Sequence, residues 1–183
     1  IEQAKNYSPE NKLNIVTLGA MTNVASAILI DPDIVPNIRV WILGTRYDFD
    51  TGLWYKRDFN CMNDLNAADL LLSQPELELT VLPANVAAQM TFDIAETEEQ
   101  LGDDHPLLEL LLDIWEDHRD GGRYRRVIWD LALIEAMLHP EWAETVTVKT
   151  SPQDGSRPVQ IYKDIDADAM RADFFEVMQN YFN

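Results

Sequence analysis

Residues 14–33, NIVTLGAMTNVASAILIDPD, contain the pattern that decides the fold class of this chain. The apolar run that ends at Leu18 predicts a strand, and Gly19 predicts the turn after it. A helix is predicted from near Thr22 to the Asp-Pro pair that closes the segment, because proline ends a helix. The segment therefore predicts one strand-turn-helix unit.

The same order of elements continues along the chain. A second strand is predicted over residues 39–43, and a long loop then leads into the helical pattern DFNCMNDLNAADLLL. Strands that alternate with helices are typical of an α/β fold with a mainly parallel, doubly wound sheet and flanking helices. No linker, repeat or low-complexity tract divides the 183 residues, so we expect a single α/β domain over residues 1–183.

Three candidate site residues follow predicted strands. Leu18 ends the first strand, and Asp58 and Asn60 come after the second. In open α/β sheets, ligands bind in the loops at the carboxyl ends of the strands. Asp58 and Asn60 are two positions apart, so in an extended segment their side chains point to the same face. The alternative is an Asx-type turn that enters a helix at Asn63 or Asp64.

A carboxylate interrupts the most apolar helix that the sequence predicts. Residues 127–140, VIWDLALIEAMLHP, leave no solvated stripe, so we expect this helix to be buried. Asp130 would then be costly, since an unpaired carboxylate out of water must be compensated. Two interpretations stay open: Asp130 caps the helix, or it is a ligand in a buried site. His139 is interpreted as a helix-end residue.

The composition excludes several functions. The chain has 14 basic and 32 acidic residues and a formal net charge of -18, which argues against a nucleic-acid partner. The single cysteine, Cys61, excludes an internal disulfide and a thiolate zinc cage. The sequence has no run of about 18 apolar residues that would predict a membrane span. We therefore expect a soluble protein, cytoplasmic or exported.

Further segments predict the rest of the fold. Residues 78–82 alternate like a strand, and residues 107–116 carry apolar side chains at helical spacing, which predicts core. Residues 145–149 and 159–162 predict an antiparallel strand pair, and residues 167–182 predict a helix with one apolar face.

Three motifs resemble those of one enzyme family. LGAMTNVASAILIDPDI is similar to the LGPLTNIALAL-x-DP segment of the inosine-uridine preferring nucleoside hydrolases, DFNCMNDLNAADLLL to their EFN-x-x-x-DPEAA-x-x-V, and IWDLALIEAMLHPEW to their HDP-x-A-x-A-x-L-x-DP. The matches stand in family order and span residues 15–142. The D-x-D-x-x-x-D-D cluster with which family members open has no counterpart in residues 1–13. The resemblance therefore implies the later part of a longer nucleoside hydrolase-like domain, incomplete and inactive by itself.

The resemblance also implies roles for matching positions. Asp130 falls on the family's metal-binding aspartate, and Leu18 on the residue that offers calcium a backbone carbonyl. Asp58 and Asn60 fall on the glutamate and asparagine that hold ribose hydroxyls, with Asp one methylene shorter. Calcium takes about six to eight oxygen ligands. We therefore expect a missing amino-terminal segment to complete the shell and to supply the water-activating aspartate.

The main departure from the family is Trp129. Many relatives carry histidine there, which can protonate a departing purine, and an indole cannot. Trp129 could stack on a base instead. Tyr124 is a candidate for base contact, because in the family this region covers the nucleobase, and His118 or Tyr124 could supply the leaving-group proton. The alternative for the basic run RYRR, residues 123–126, is a solvated segment that pairs with nearby acids.

The implied reaction is hydrolysis of the N-glycosidic bond of a purine or pyrimidine ribonucleoside by calcium-activated water. The implied partner is a small-molecule nucleoside, and the resemblance further implies a homo-oligomer with a role in nucleoside catabolism. Two other classes stay open. One is a non-catalytic homologue that binds a nucleoside or another ribosyl compound, and the other is an acidic α/β interaction module.

Overall fold

The computed structural model describes residues 1–102, 106–117 and 124–182. The strands of this part of the chain are β1 (Leu13–Thr17), β2 (Ile38–Leu43), β3 (Arg46–Asp48), β4 (Leu53–Tyr55), β5 (Glu78–Leu82), β6 (Thr91–Asp93), β7 (Arg125–Val127), β8 (Ala143–Lys149) and β9 (Pro158–Ile165). The α-helices are α1 (Thr22–Ile30), α2 (Phe59–Asn63), α3 (Leu65–Ser73), α4 (Ala84–Ala87), α5 (Ile94–Leu101), α6 (Pro106–Asp117), α7 (Trp129–Leu138) and α8 (Ala167–Phe182).

The central sheet has the strand order β1-β2-β5-β9-β8. The first four of these strands run parallel, with Val40 opposite Leu79, and β8 pairs antiparallel with β9 at the edge. The predicted mainly parallel sheet and the predicted antiparallel pair are both confirmed. Because β1, β2 and β5 are parallel, the segments after Thr17, Leu43 and Leu82 leave from the same edge of the sheet.

Helices cover both faces of this sheet. On one face, Val40 and Val81 share a buried cluster with Ile28 of α1 and Leu71 of α3. On the other face, Leu82 belongs to a cluster that includes residues of α4, α7 and α8. Strand side chains alternate between the two clusters, as the period of two along a strand requires. The doubly wound architecture expected from the sequence is confirmed.

A buried arginine holds the carboxyl end of α3. Arg157 is 9% exposed, and it donates hydrogen bonds of 2.9 to 3.0 Å to the carbonyl oxygens of Leu71, Leu72 and Leu77. The last carbonyls of a helix have no partner within the helix, and a cation suits the negative end of the helix dipole. Burial lowers the pKa of Arg157 from its ordinary value.

Two short strand pairs were not predicted. β3 and β4 form a hairpin where the sequence indicated a long loop, and the ring of Tyr47 lies 4.9 Å from both Phe49 and Trp54. β6 pairs antiparallel with β7. Each of these four strands has three residues, which is too short to display a period.

Two helices that the sequence predicts to be buried, or to form core, are buried only in part. In α7, Leu138 is 68% exposed, and the buried side is formed by residues such as Ala132 and Leu133. In α6, Trp115 is buried, whereas Leu110 is 53% exposed. An apolar helix is buried only where other elements cover it, and the described residues cover these two helices on one side. His118, a candidate for leaving-group protonation, lies outside the described residues.

Across the residues that the structure describes, no helix combines the length and the hydropathy needed to cross a membrane.

Candidate active site

Polar side chains from separate segments meet in a cavity of about 310 Å³ at the carboxyl edge of the sheet. The described residues that line it are Leu43, Gly44, Arg46, Arg57, Asp58, Phe59, Asn60, Ala84, Trp129 and Asp130. The structure therefore brings together Asp58, Asn60, Trp129 and Asp130, which are far apart in the sequence. Open α/β sheets bind ligands at this edge.

Asn60 joins the cavity to the ends of two strands. It is 9% exposed, and its Nδ2 donates to the carbonyl oxygen of Leu18 at 3.0 Å and to that of Leu43 at 2.9 Å. Leu18 follows β1 and Leu43 ends β2, so one side chain connects both strands to α2. A primary amide has two N–H donors and one acceptor oxygen. With both donors engaged, Asn60 has its Oδ1 left for a ligand.

Asp58 caps the short helix α2. Its Oδ1 accepts a hydrogen bond from the backbone N–H of Cys61 at 3.1 Å, and its Oδ2 accepts one from the backbone N–H of Thr45 at 2.6 Å. The alternative to sugar binding was an Asx-type turn that enters a helix at Asn63 or Asp64. In the structure, Asp58 instead caps a helix that begins at Phe59, and Asp64 caps α3. The carboxylate is half-buried in the cavity wall, and a carboxylate oxygen can accept more than one hydrogen bond.

The chain turns sharply between β2 and the cavity. Thr45 has a φ of 63°, in the left-handed region that β-branched residues rarely adopt, and it is fully buried. A Cβ at the preceding Gly44 would lie 2.8 Å from Cε of Met21, so a larger residue there would require the Met21 side chain to move. Thr45 is held on both sides, by Asp58 at its N–H and by the backbone N–H of Ala84 at its carbonyl. Strained backbone held in this way is common at functional sites.

Asp130 lies in the first turn of α7 at the cavity rim. The prediction that it is buried was wrong: the residue is exposed, because the start of α7 faces the open side of the cavity. Ile128 is the N-cap residue, and among the described residues no side chain caps α7 and no group donates a hydrogen bond to the Asp130 carboxylate. The surrounding protein nevertheless removes part of its hydration, which raises the pKa of Asp130 from its ordinary value.

Trp129 lies between this cavity and a larger apolar one. The second cavity has a volume of about 440 Å³, shares Trp129 and Asp130 with the first, and is lined mainly by apolar side chains of α6, α7 and α8. The indole is 39% exposed, so part of its surface is open to a ligand. An aromatic group is the kind of ligand that such a surface binds.

The family model of the inosine-uridine preferring nucleoside hydrolases matches residues 1–172 of the chain. The chain belongs to this family. No curated protein matches it.

Solved structures of other proteins share the fold of this chain. A plant nucleoside hydrolase gives a TM-score of 0.78 at 18% identity, over 97% of this chain and 64% of its own. A purine-preferring ribonucleoside hydrolase from Gardnerella vaginalis gives 0.73 at 17% identity, over 98% and 63%. The type III effector protein XopQ, complexed with adenosine diphosphate ribose, gives 0.67 at 18% identity, over 92% and 61%. The chain thus spans less than two thirds of the length of each of these structures.

Two arginines in the cavity wall were missed by the sequence analysis. Arg57 directly precedes Asp58, and Arg46 begins β3; both residues are exposed and both line the cavity. The nucleoside hydrolase motifs quoted above include neither position. Arg57 could have been identified from the sequence because it directly precedes Asp58, which lies in a quoted motif.

A third cation fixes the loop that leads into the motif. Nζ of Lys56 lies 2.6 Å from Asp69 Oδ1 in α3 and 2.6 Å from Asp154 Oδ1. Asp154 is 2% exposed, so its charge depends on this partner. Burial acts to lower the pKa of Lys56, but the bonds to Asp154 and Asp69 outweigh it and raise the pKa.

The structure does not bring Tyr124 into the cavity. Its side chain is 69% exposed, and it is not among the described residues that line either cavity. Arg125 lies 3.4 Å from Asp93, which is the solvated pairing that the sequence left open for this basic run. Residues 118–123 lie outside the described part of the chain, so base contact by Tyr124 stays a prediction.

Two oxygen donors of this chain are of the chemical kind that calcium prefers. The Asp130 carboxylate and the Leu18 carbonyl are hard oxygen donors, which calcium prefers. Asn60 fixes the position of the Leu18 carbonyl, and the described residues leave the Asp130 carboxylate without a hydrogen-bond donor. Since calcium takes about six to eight oxygens, further ligands are required.

Proposed function

We propose that the protein hydrolyses the N-glycosidic bond of ribonucleosides at the cavity shared by Asn60 and Asp130. Family membership supports nucleoside hydrolysis in general. The observation that carries the proposal is the meeting of Asp58, Asn60 and Asp130 in one cavity, with the Leu18 carbonyl bonded to Asn60. This set combines acceptors for a sugar with oxygen donors for a cation.

The ribose is proposed to bind against Asn60 and Asp58. Both Nδ2 hydrogens of Asn60 are engaged, so its Oδ1 is the atom that can accept a hydrogen bond from a sugar hydroxyl. Asp58 offers carboxylate oxygens that the turn at Thr45 holds in place. Adjacent ribose hydroxyls supply the donors that these acceptors need. Holding both groups rigid before the substrate arrives lowers the cost of orienting the sugar.

Asp130 and the Leu18 carbonyl are proposed to hold calcium, which when bound supplies the activation of the attacking water. The Asp130 carboxylate has lost hydration without gaining a described hydrogen-bond donor, so a cation beside it would offset that loss. Bond cleavage places positive charge on the ribose, and the carboxylates of Asp58 and Asp130 are proposed to stabilise it.

The base is proposed to stack on Trp129, at the border of the apolar cavity. Stacking favours a flat aromatic group without fixing which base it is. The indole N–H is too weak an acid to protonate a leaving group. Leaving-group activation at this position therefore differs from that of relatives with histidine there.

A non-catalytic role as a ribosyl-binding protein is the second candidate. Arg46 and Arg57 bring two cations to the cavity wall, and guanidinium groups bind phosphates. The effector XopQ, which shares the fold, was solved with adenosine diphosphate ribose. A ligand with phosphate beside its ribose would use these arginines, whereas a nucleoside has no phosphate for them.

The experiment compares product formation by matched variants. The full-length protein is incubated with uridine or inosine and calcium, and free base and ribose are measured. We expect Asp130→Asn to abolish cleavage and Asp168→Asn to leave it unchanged, since Asp168 lies in the first turn of α8 with 89% of its side chain exposed. Cleavage by Asp130→Asn at the wild-type rate would show that the site is assigned wrongly.

A further inference from the structure

A second cluster of ligand-type side chains lies at the other end of α7. Glu135, His139 and Asp173 each offer one ligand atom, and these atoms all lie within 4.8 Å of one another. His139 directly follows α7, and its backbone N–H donates to the carbonyl oxygen of Glu135 at 2.8 Å, so the two residues lie one turn apart. Asp173 comes from α8, which packs against α7. The cluster therefore joins two helices.

The cluster contains a buried polar atom without a partner. Glu135 is 5% exposed, and its Oε2 has no hydrogen-bond partner among the described residues. A buried carboxylate oxygen in this condition is costly, because nothing replaces the water that it has lost. Burial, and next the charge of Asp173, raise the pKa of Glu135. The same carboxylate offers one oxygen within 4.8 Å of the ligand atoms of His139 and Asp173.

His139 is already oriented to offer one nitrogen to this space. Its Nδ1 lies 3.4 Å from Glu141 Oε1, and its Nε2 lies 3.7 Å from Asp173 Oδ2. Its ring stacks on Trp142, with centroids 4.0 Å apart. In metal sites, a ligating histidine commonly donates its other ring N–H to a carboxylate, which fixes the ring and the tautomer. Glu141 lies on the Nδ1 side of the ring, where a small movement would let it accept this hydrogen bond.

We propose that Glu135, His139 and Asp173 form a binding site for a divalent transition metal of the zinc type. Two carboxylates and an imidazole suit Zn²⁺, and two negative charges balance the ion. With metal-ligand bonds of about 2.0–2.2 Å, ligand atoms around tetrahedral zinc lie about 3.3–3.6 Å apart. The 3.7 Å between His139 Nε2 and Asp173 Oδ2 is close to this range. The ligand atoms lie within 4.8 Å of one another, so side-chain movements of about 1 Å would bring all three to zinc distance.

This site is separate from the proposed calcium site. Asp130 lies five residues before Glu135 on α7, about 7.5 Å along the helix axis and on a different face. None of the three ligands is among the described residues that line the cavity of Asn60. A metal here would clamp the carboxyl end of α7 to α8, and because it would bind the folded state, it would raise the melting temperature.

The test is zinc binding by the full chain after treatment with a chelator. Zn²⁺ is titrated by calorimetry, Co²⁺ is used as a coloured substitute, and the melting temperature is measured with and without Zn²⁺. The variants are Glu135→Gln and Asp173→Asn. The control on α8 is Asp168→Asn, whose side chain is 89% exposed and pairs with Arg171. Asp130→Asn controls for binding at the other site.

We expect the wild type to bind one Zn²⁺ per chain with a rise in melting temperature. Glu135→Gln and Asp173→Asn should weaken this binding by at least about tenfold, and both controls should retain it. Asp173 is partly exposed, so its variant tests the site even if Glu135→Gln fails to fold. The proposal is overturned if the wild type binds no Zn²⁺, if both cluster variants bind it as the wild type does, or if only Asp130→Asn loses it.

Discussion

The side-chain amide nitrogen of Asn60 lies 3.0 Å from the backbone carbonyl oxygen of Leu18. This bond joins the sugar-binding and metal-binding parts of the proposed site. The carbonyl proposed as a calcium ligand is held by the residue proposed to bind ribose, so a change at Asn60 disturbs both. Asn60 also donates to the carbonyl of Leu43, which ties the pair to β2.

Asn60→Asp should therefore destabilise the fold as well as the site. The substitution replaces a donor by an oxygen that faces two carbonyl oxygens, and each acceptor left unpaired in a buried place costs about 1–3 kcal/mol. We expect the free energy of unfolding, measured in urea, to fall by about 2 kcal/mol or more.

Asn63→Asp is the matched control on α2. Asn63 Nδ2 donates one exposed hydrogen bond of 2.7 Å to Phe59 O, so its loss should change the free energy of unfolding by less than about 0.5 kcal/mol. Equal effects of the two substitutions would contradict the role given to Asn60.

Asp130→Asn should separate ligand binding from stability. Asp130 caps nothing in the described structure, so in calcium-free buffer its loss should change the free energy of unfolding by less than about 1 kcal/mol. Calcium should raise the melting temperature of the full-length wild type and not that of the variant. A wild-type melting temperature that does not respond to calcium would favour an interaction module without this metal site.

Trp129 should govern which leaving groups depart. A general acid contributes about a hundredfold or more in rate, and an indole cannot act as one. We expect the full-length protein to cleave nitrophenyl riboside, whose leaving group needs no proton, far faster than inosine. Trp129→His should raise the rate on inosine, and Trp129→Phe, which adds no acid, should not. If Trp129→His brings no gain, this position does not control leaving-group protonation.

Lys56 should contribute stability that depends on pH. Removing one partner of a buried ion pair costs about 3–5 kcal/mol, and Lys56→Met leaves the buried Asp154 without its cation. Because the folded-state pKa of Lys56 is raised, its contribution is complete below the ordinary value of 10.5 and is lost as the pH rises through the raised value.

The measurement is the free energy of unfolding of the wild type and of Lys56→Met from neutral to strongly alkaline pH. We expect the difference to be constant at neutral pH and to shrink above about pH 10.5. Lys163→Met, at an exposed pair with Glu144, is the control and should cost less than about 1 kcal/mol. A difference that stays constant through the alkaline range would show that Lys56 acts by packing.

Much of the fold could be predicted because it rests on local patterns. The glycine turn and the Asp-Pro pair in residues 14–33 predicted a helix that the structure places at Thr22–Ile30. The alternation in residues 145–149 and 159–162 predicted the antiparallel edge pair. Such patterns report which face of an element is buried, and this is enough to order strands and helices into an α/β sheet.

The site could be predicted only where motifs contain it. Asp58, Asn60, Trp129 and Asp130 lie in the quoted motifs, and the structure brings them together in one cavity. The exposure of Asp130 could not be predicted from the sequence. The apolar pattern of a helix shows that it can be buried, but it does not show which other elements cover it. Arg46 reaches the cavity through a three-residue strand without a sequence signal. Contacts of this kind depend on tertiary packing.

The central claim is that this cavity turns nucleosides over and does not merely bind ribosyl compounds. The most direct measurement is the number of base molecules released per protein molecule from uridine, with calcium, by the full-length wild type. The proposed hydrolase should release free uracil and ribose in equal amounts, many times in excess of the protein. Saturable binding of uridine with no more free uracil than protein would contradict the claim and identify a binding homologue.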